Sequence, residues 1–232
     1  MLSVIIPTYN EEDYIGNTIA AIRKHDKEKL VGEIIVSDGG SRDNTIIIAR
    51  DAGASTIVST PKSRARQMNA GASFATGEIL YFIHADCIPP DGFSTDIVNA
   101  VNDKCKSGCF RLSFDRPHWF LKANSWFTRF NINNFRFGDQ SLFIAKDVFK
   151  KAGGFDERLT LLEDQEIIYR IKKHTKFKVL PQRIITSARK YETNGVYKTQ
   201  AVYFLIYCMY KMGFGQSRLS TAYKALSKQD KV

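Results

Sequence analysis

Three times in its first 90 residues the chain runs from an apolar, β-branched stretch into a polar loop and then into helical periodicity. Ser3-Val4-Ile5-Ile6-Pro7-Thr8-Tyr9-Asn10-Glu11-Glu12 predicts a short buried strand stopped by Pro7, then a turn into a helix over residues 14–25 with Ile15, Ile19 and Ile22 on one face. Glu33-Ile34-Ile35-Val36-Ser37-Asp38-Gly39-Gly40-Ser41 repeats the pattern and leads to a helix carrying residues 46–49. Ser55-Thr56-Ile57-Val58 and a helix over 64–75 lead to a further buried strand, Ile79-Leu80-Tyr81-Phe82-Ile83, bounded by Gly77 and by Pro89-Pro90. Units in this order specify an α/β fold built on a mostly parallel sheet with right-handed crossovers.

In such a sheet, ligands sit beyond the carboxyl ends of the strands. That rule singles out Thr8, Tyr9 and Glu11 after the first strand, Asp38 after the second and His84-Ala85-Asp86 after the buried one. The i, i+2 spacing of His84 and Asp86 on a strand puts both side chains on the same side of the chain. An imidazole and a carboxylate so placed can hold a divalent cation, which in turn neutralises a diphosphate. A plainer alternative stands beside each: a solvated Asp86 at a capped strand end, and an Asx turn in which Asp38 stabilises the Gly39-Gly40 bend.

The 232 residues, 44% hydrophobic and 25% charged, suit one globular domain with a sizeable core. The four cysteines show no C-x-x-C pair or zinc spacing, and Met1-Leu2-Ser3-Val4-Ile5-Ile6-Pro7 lacks the basic flank and long apolar core of a signal peptide. A reduced, cytoplasmic protein is expected. Charge is uneven: residues 170–232 carry 14 Lys and Arg against 2 Asp and Glu, whereas residues 1–169 carry 20 against 22. Such a basic quarter can attract phosphates, an anionic membrane surface or nucleic acid.

Several runs together resemble the family 2 glycosyltransferases of the GT-A fold. They are Val4 to Glu12, Val36-Ser37-Asp38-Gly39-Gly40-Ser41-Arg42-Asp43-Asn44-Thr45, Ala75-Thr76-Gly77-Glu78 with His84-Ala85-Asp86, Gly138-Asp139-Gln140, Gly153-Gly154-Phe155-Asp156-Glu157 and Leu162-Glu163-Asp164. Within the family the His-Ala-Asp form is similar to a short, soluble, bacterial-type subgroup. The resemblance covers roughly residues 2–195 and implies a Rossmann-like central sheet flanked by helices. It implies a domain over 1–195, with a nucleotide-binding half at 1–90 and an acceptor half at 91–195, followed by a basic and aromatic helical extension over 196–232.

The implied activity is a single, inverting, metal-dependent transfer of a sugar from a nucleotide-sugar, UDP-linked first, to a hydroxyl acceptor. Pro7, Thr8, Tyr9 and Glu11 would line uracil and ribose, and Asp38 would accept a hydrogen bond from the base. Arg64, Arg66 and Asn69 would reach the base or diphosphate, although Arg64 reads equally well as a surface helix residue. Asp86 matches the second carboxylate of the family's Asp-x-Asp and would hold Mn2+ or Mg2+. His84 departs from that pattern, as a ligand, as support behind the ligand or as polar filler. Asp164, with Glu163 orienting it, would be the base, at a helix start where the dipole favours an ionised carboxylate. Simple helix capping is the alternative.

Asp139 and Gln140 would face the acceptor together with Trp126, one of an aromatic group that also holds Trp119, Phe120, Phe127, Phe130, Phe135 and Phe137. The acceptor would be a sugar, a lipid-linked or a small hydroxyl compound. The Q/R-x-x-R-W signature of processive members is missing, and Ser187-Ala188-Arg189-Lys190-Tyr191 stands in its region, with Arg189 expected near the diphosphate. The uncharged run over residues 200–210 is too short to span a bilayer, which takes about 20 residues. It packs on the domain, forms a homodimer or lies in a membrane interface at the inner face. The rival readings are a nucleotidyltransferase, disfavoured by a first loop without Gly or base, and a basic nucleic-acid- or membrane-binding protein with a degenerate site. Nucleic acid is not the expected partner.

Overall fold

The computed structural model describes residues 1–133 and 138–228. Phe135 and Phe137 of the aromatic group, and the end of the 196–232 extension, lie outside the described residues. The alternation forms as the sequence predicts: β1 (Leu2–Thr8), α1 (Ile15–His25), β2 (Val31–Asp38), α2 (Thr45–Asp51), β3 (Thr56–Ser59), α3 (Arg64–Phe74) and β4 (Ile79–Phe82). These four strands lie parallel in the order β3-β2-β1-β4. The register pairs Thr8 with Asp38, so the loops leaving β1 and β2 begin side by side.

The second half is β5 (Cys87–Ile88), α4 (Phe93–Asn102), β6 (Ser107–Phe114), α5 (Trp119–Phe127), β7 (Leu142–Ala145), α6 (Lys146–Lys151), α7 (Glu163–Ile171), β8 (Phe177–Thr186), α8 (Arg189–Asn194), α9 (Val196–Lys211) and α10 (Gln216–Leu226). It extends the sheet to β3-β2-β1-β4-β7-β6-β8-β5. Here β7 runs antiparallel to both β4 and β6, and the short β5 antiparallel to β8.

Strand alternation sorts the core onto two faces. Val4, Ile6 and Val36 bury against Ile15, Ile19 and Ile22 of α1. Ile5, Ile35, Leu80 and Phe82 bury against Ala65 and Met68 of α3 and Ile167, Ile168 and Ile171 of α7. Each fully buried isoleucine removes apolar surface worth about 1.5–3 kcal/mol. Val202 and Ile206 of α9 pack with Leu219 and Tyr223 of α10 and against Leu161 and Leu162 ahead of α7. No helix among the described residues is long and apolar enough to cross a membrane, and all four cysteines are free.

Two local expectations change. The first strand does not stop at Pro7 but runs on to Thr8. Ile5 turns its carbonyl to the β4 side, where it accepts from Ile83, so Pro7 two residues on faces that side as well. Paired residues of β4 reach only Phe82, opposite Ile5, and the N–H that proline lacks therefore has no ladder bond to lose. The second change concerns His84 and Asp86. β4 ends at Phe82, and the Cys87 N–H donates to the His84 carbonyl across a turn. The two side chains leave a turn rather than a strand, and they reach different partners.

Candidate active site

The loop after β2 is organised around Asp38. Its Oδ2 accepts from the backbone N–H groups of Gly40 and Ser41, both at 2.8 Å, and its Oδ1 accepts from the hydroxyls of Ser41 at 2.5 Å and Thr8 at 3.2 Å. Four bonds fill the acceptor positions of a carboxylate, so the Asx-turn alternative describes its resting state. A nucleotide base would have to replace one of these partners. Beneath the loop, the buried Gln67 of α3 donates to the carbonyls of Thr8 at 2.6 Å and Ser37 at 2.9 Å, tying the ends of β1 and β2 together. Nothing in the spacing of α3 flagged Gln67 beforehand. At the rim, the Lys62 ammonium lies 4.2 Å from the centre of the Tyr9 ring.

A second group of charges forms where β5 pairs with the end of β8. Cys87 opposes Thr186, and the Ser187 N–H donates to the Asp86 carbonyl. This pairing brings Arg189, the first residue of α8, over the Asp86 carboxylate at 2.9 Å. The same guanidinium grips both oxygens of Glu11 at 2.8 Å and lies 4.3 Å from the centre of the Tyr14 ring. Burial works against the charged guanidinium, but Glu11 and Asp86 more than offset it and hold the arginine's pKa above its usual range. Asp86 is thus already matched to a cation.

His84 turns the other way, with Nδ1 3.1 Å from Asp139 Oδ1. Burial of Asp139 would raise its pKa, but Lys190 and the His84 bond hold it well below the usual carboxylate range. Lys190 follows Arg189, is half-buried, and has its pKa held up chiefly by the Tyr203 phenol and then by Asp139, against the cost of burial. Sequence reasoning quoted Lys190 in a run without giving it a role. Its signal was a second cation directly after a strand-end arginine. Gln140 points away from the cleft and donates from its amide to the Phe110 carbonyl of β6. Of the acceptor-side residues expected together, the structure brings only Asp139 to the charged group. Trp126 lies half-exposed on α5.

The third group sits at the start of α7. Arg64 is 3.1 Å from Glu163 and 3.9 Å from Asp164, while its side chain stays 38% exposed. Glu163 is buried, and burial together with the neighbouring Asp164 raises its pKa to about 7 although Arg64 opposes the rise. The helix dipole is outweighed at this position. Asp164 is the more open of the two and lines a small cleft with His84, Ser141 and Met68. Arg66 and Asn69, two and five residues past Arg64 on α3, are engaged elsewhere. Arg66 faces Glu157, and Asn69 both accepts from the Phe155 N–H and donates to the Phe155 carbonyl.

Strand-end loops on one sheet edge, a carboxylate already matched to a cation, and an acidic pair at a helix start beside a small cleft accompany the sequence runs that carry the resemblance. Residues 3–154 match the family described as glycosyl transferase family 2. The chain belongs to that family. Glu163, Asp164, Arg189 and Lys190 lie past the matched stretch and enter the site through the geometry above.

Among family relatives, the glucosyl-3-phosphoglycerate synthase of Mycolicibacterium smegmatis is 34% identical over 98 residues, 39% of this chain and 32% of that one. The chain spans about a third of the length of that relative and of two others, and 68% of two uncharacterized glycosyltransferases of Mycobacterium tuberculosis. A mannosyltransferase from Pyrobaculum calidifontis, solved with GDP-mannose and Mn2+, superposes with a TM-score of 0.71 over 96% of this chain and 69% of that one, at 20% identity. The Mycobacterium tuberculosis glucosyl-3-phosphoglycerate synthase with Mn2+, UDP-glucose and phosphoglyceric acid gives 0.59 over 79% and 70%, at 17% identity. At these identities the likeness is one of fold, and the fold is that of the GT-A glycosyltransferases.

Proposed function

We propose that this chain transfers a single sugar, with inversion, from a nucleotide-sugar to a hydroxyl acceptor, and that the donor is UDP-linked. The observation that supports this reading is the small cleft lined by His84 and Asp164, with Asp86 matched to a cation two residues past His84 and with Glu163 and Arg64 beside Asp164. Nucleoside contacts fall to Pro7, Thr8, Tyr9 and Glu11 beside the Asp38 loop. Arg189 and Lys190 meet the charge of the departing diphosphate, with Arg64 close behind the acidic pair.

A divalent cation, Mn2+ or Mg2+, fits the donors present. No cluster of three metal-ligating side chains exists among the described residues. One carboxylate, Asp86, lies where a guanidinium already stands in for a cation. That suits an ion such as Mg2+, which takes one or two protein carboxylates and fills its remaining positions with phosphate oxygens and water. When bound, it supplies Lewis-acid stabilisation to the leaving diphosphate. His84, turned toward Asp139, supports the site from behind.

On the acceptor side, Asp164 takes the proton from the hydroxyl as its oxygen bonds to the anomeric carbon, while the bond from that carbon to the diphosphate breaks on the opposite face. Glu163, held by Arg64, keeps Asp164 in place. The test is a calorimetric titration with UDP and GDP, with and without Mn2+. UDP should bind with Mn2+ and lose that binding in Asp86→Asn. A folded sample that binds neither diphosphate overturns the reading.

A further inference from the structure

Helices α5 and α9 lie side by side. The Asn124 amide donates to Gln200, and the Tyr197 ring sits 5.2 Å from Phe120 and 6.5 Å from Trp119. Each helix turns an apolar stripe outward. On α5 it holds Trp119 (67% exposed) and Trp126 (47%), seven residues apart and hence on one face. On α9 it holds Tyr197 (58%), Phe204 (68%) and Leu205 (43%), continued just past the helix end by Met212 (67%), while Val202 and Ile206 face inward. Scattered exposed apolar residues are ordinary, but large apolar residues gathered on the outward faces of two packed helices mark a contact surface.

Charge decides what covers it. Residues 119–133 and 196–228 contain 7 Lys and Arg and no Asp or Glu. Lys122, Arg129, Lys198 and Lys211 edge the stripe, and Glu192 in α8 is already paired with Arg116. A twofold contact sets a patch against itself, and here that would press basic residues against their own copies with no acid to answer them. An anionic bilayer answers both features: rings and aliphatic groups enter the headgroup boundary while lysine stems reach up to phosphates.

We infer that the α5–α9 face docks on an anionic lipid surface. The same helix links that surface to the site, because Tyr203, next to the outward Phe204, faces inward and stacks on Tyr223 beside the half-buried Lys190. Docking would set the cleft beside the bilayer.

The test is co-sedimentation of the whole chain, without nucleotide, with vesicles of phosphatidylcholine alone and of phosphatidylcholine with phosphatidylglycerol in equal parts. Binding only to the mixed vesicles is expected. Lys122→Gln with Lys198→Gln should weaken it roughly thirtyfold, since each basic residue near such a surface contributes about a fivefold factor. Trp119→Ser with Phe204→Ser should abolish it without lowering the melting temperature, because both side chains are exposed. Circular dichroism checks that each variant folds. No binding to the mixed vesicles, equal binding to neutral ones, or binding that survives both variants overturns the inference. So does a dimer in light scattering that Trp119→Ser with Phe204→Ser dissolves. Donor binding is measured without lipid, so failure here is separate from failure of the transferase reading.

Discussion

Asp38 and Asp86 both follow parallel strands of one sheet edge, and they are satisfied in opposite ways. Asp38 takes neutral donors, three of its four bonds coming from Gly40 and Ser41 in its own loop. Asp86 takes a guanidinium delivered from beyond β8, some hundred residues later. The first arrangement forms as soon as the local turn forms. The second requires the whole sheet, and what holds it is charge, which a charged ligand can compete for. On the function proposed above, the first corner is scaffold and the second machinery.

The strongest test of that division is Asp164→Asn on the charged side. Turnover should fall by roughly 10²–10⁴-fold, the usual contribution of a positioned base. Affinity for UDP with Mn2+ should stay within about twofold, because the substitution removes a group used only in the chemical step. Equal losses in both quantities would mean that the two sides of the cleft are not separable.

Asp38→Asn probes the scaffold corner. The new amide would point a donor at the Gly40 and Ser41 N–H groups or at two hydroxyls, stranding partly buried donors. Unfolding in urea should show a loss of about 1–3 kcal/mol. A variant as stable as the parent but unable to bind UDP would transfer Asp38 from scaffold to machinery.

The smallest expected effect is a pH dependence carried by Glu163. An unfolded glutamate titrates near its ordinary value of 4.5, the folded one near 7. Between those values the folded chain holds a proton that the unfolded chain has released, so stability falls as pH rises and the loss is complete above about 7. Glu163→Gln cannot ionise. The melting temperatures of parent and variant should therefore agree below pH 5 and separate in the variant's favour toward pH 8. A constant difference across that range would mean that Arg64 fully neutralises the buried carboxylate.

The β1–β4 half was legible because each element carries its own signal, in β-branched runs, glycine-rich turns and isoleucines at helical spacing. The loop positions Thr8, Glu11, Asp38 and Asp86 followed from the rule about strand ends. The partners were less visible. Arg189 over Asp86 depends on a two-residue strand, β5, too short to have a pattern, pairing with the end of β8. Gln140 looked like an acceptor contact because it follows Asp139, but its direction is set by β6, which no local spacing reveals. The turn at Ala85-Asp86 was hidden by the apolar run before it, which reads as strand straight through to Ile83.

Asn69 and Gly154 carry a consequence for how this sequence can change over generations. Gly154 sits at a φ of +67°, and a methyl group there would come within 2.8 Å of the Asn69 oxygen that accepts from Phe155. Asn69 in turn needs both its donor and its acceptor to hold the Phe155 backbone. Neither position can drift alone. Along any lineage that keeps this loop, the two are expected to be inherited as a unit and to be lost together.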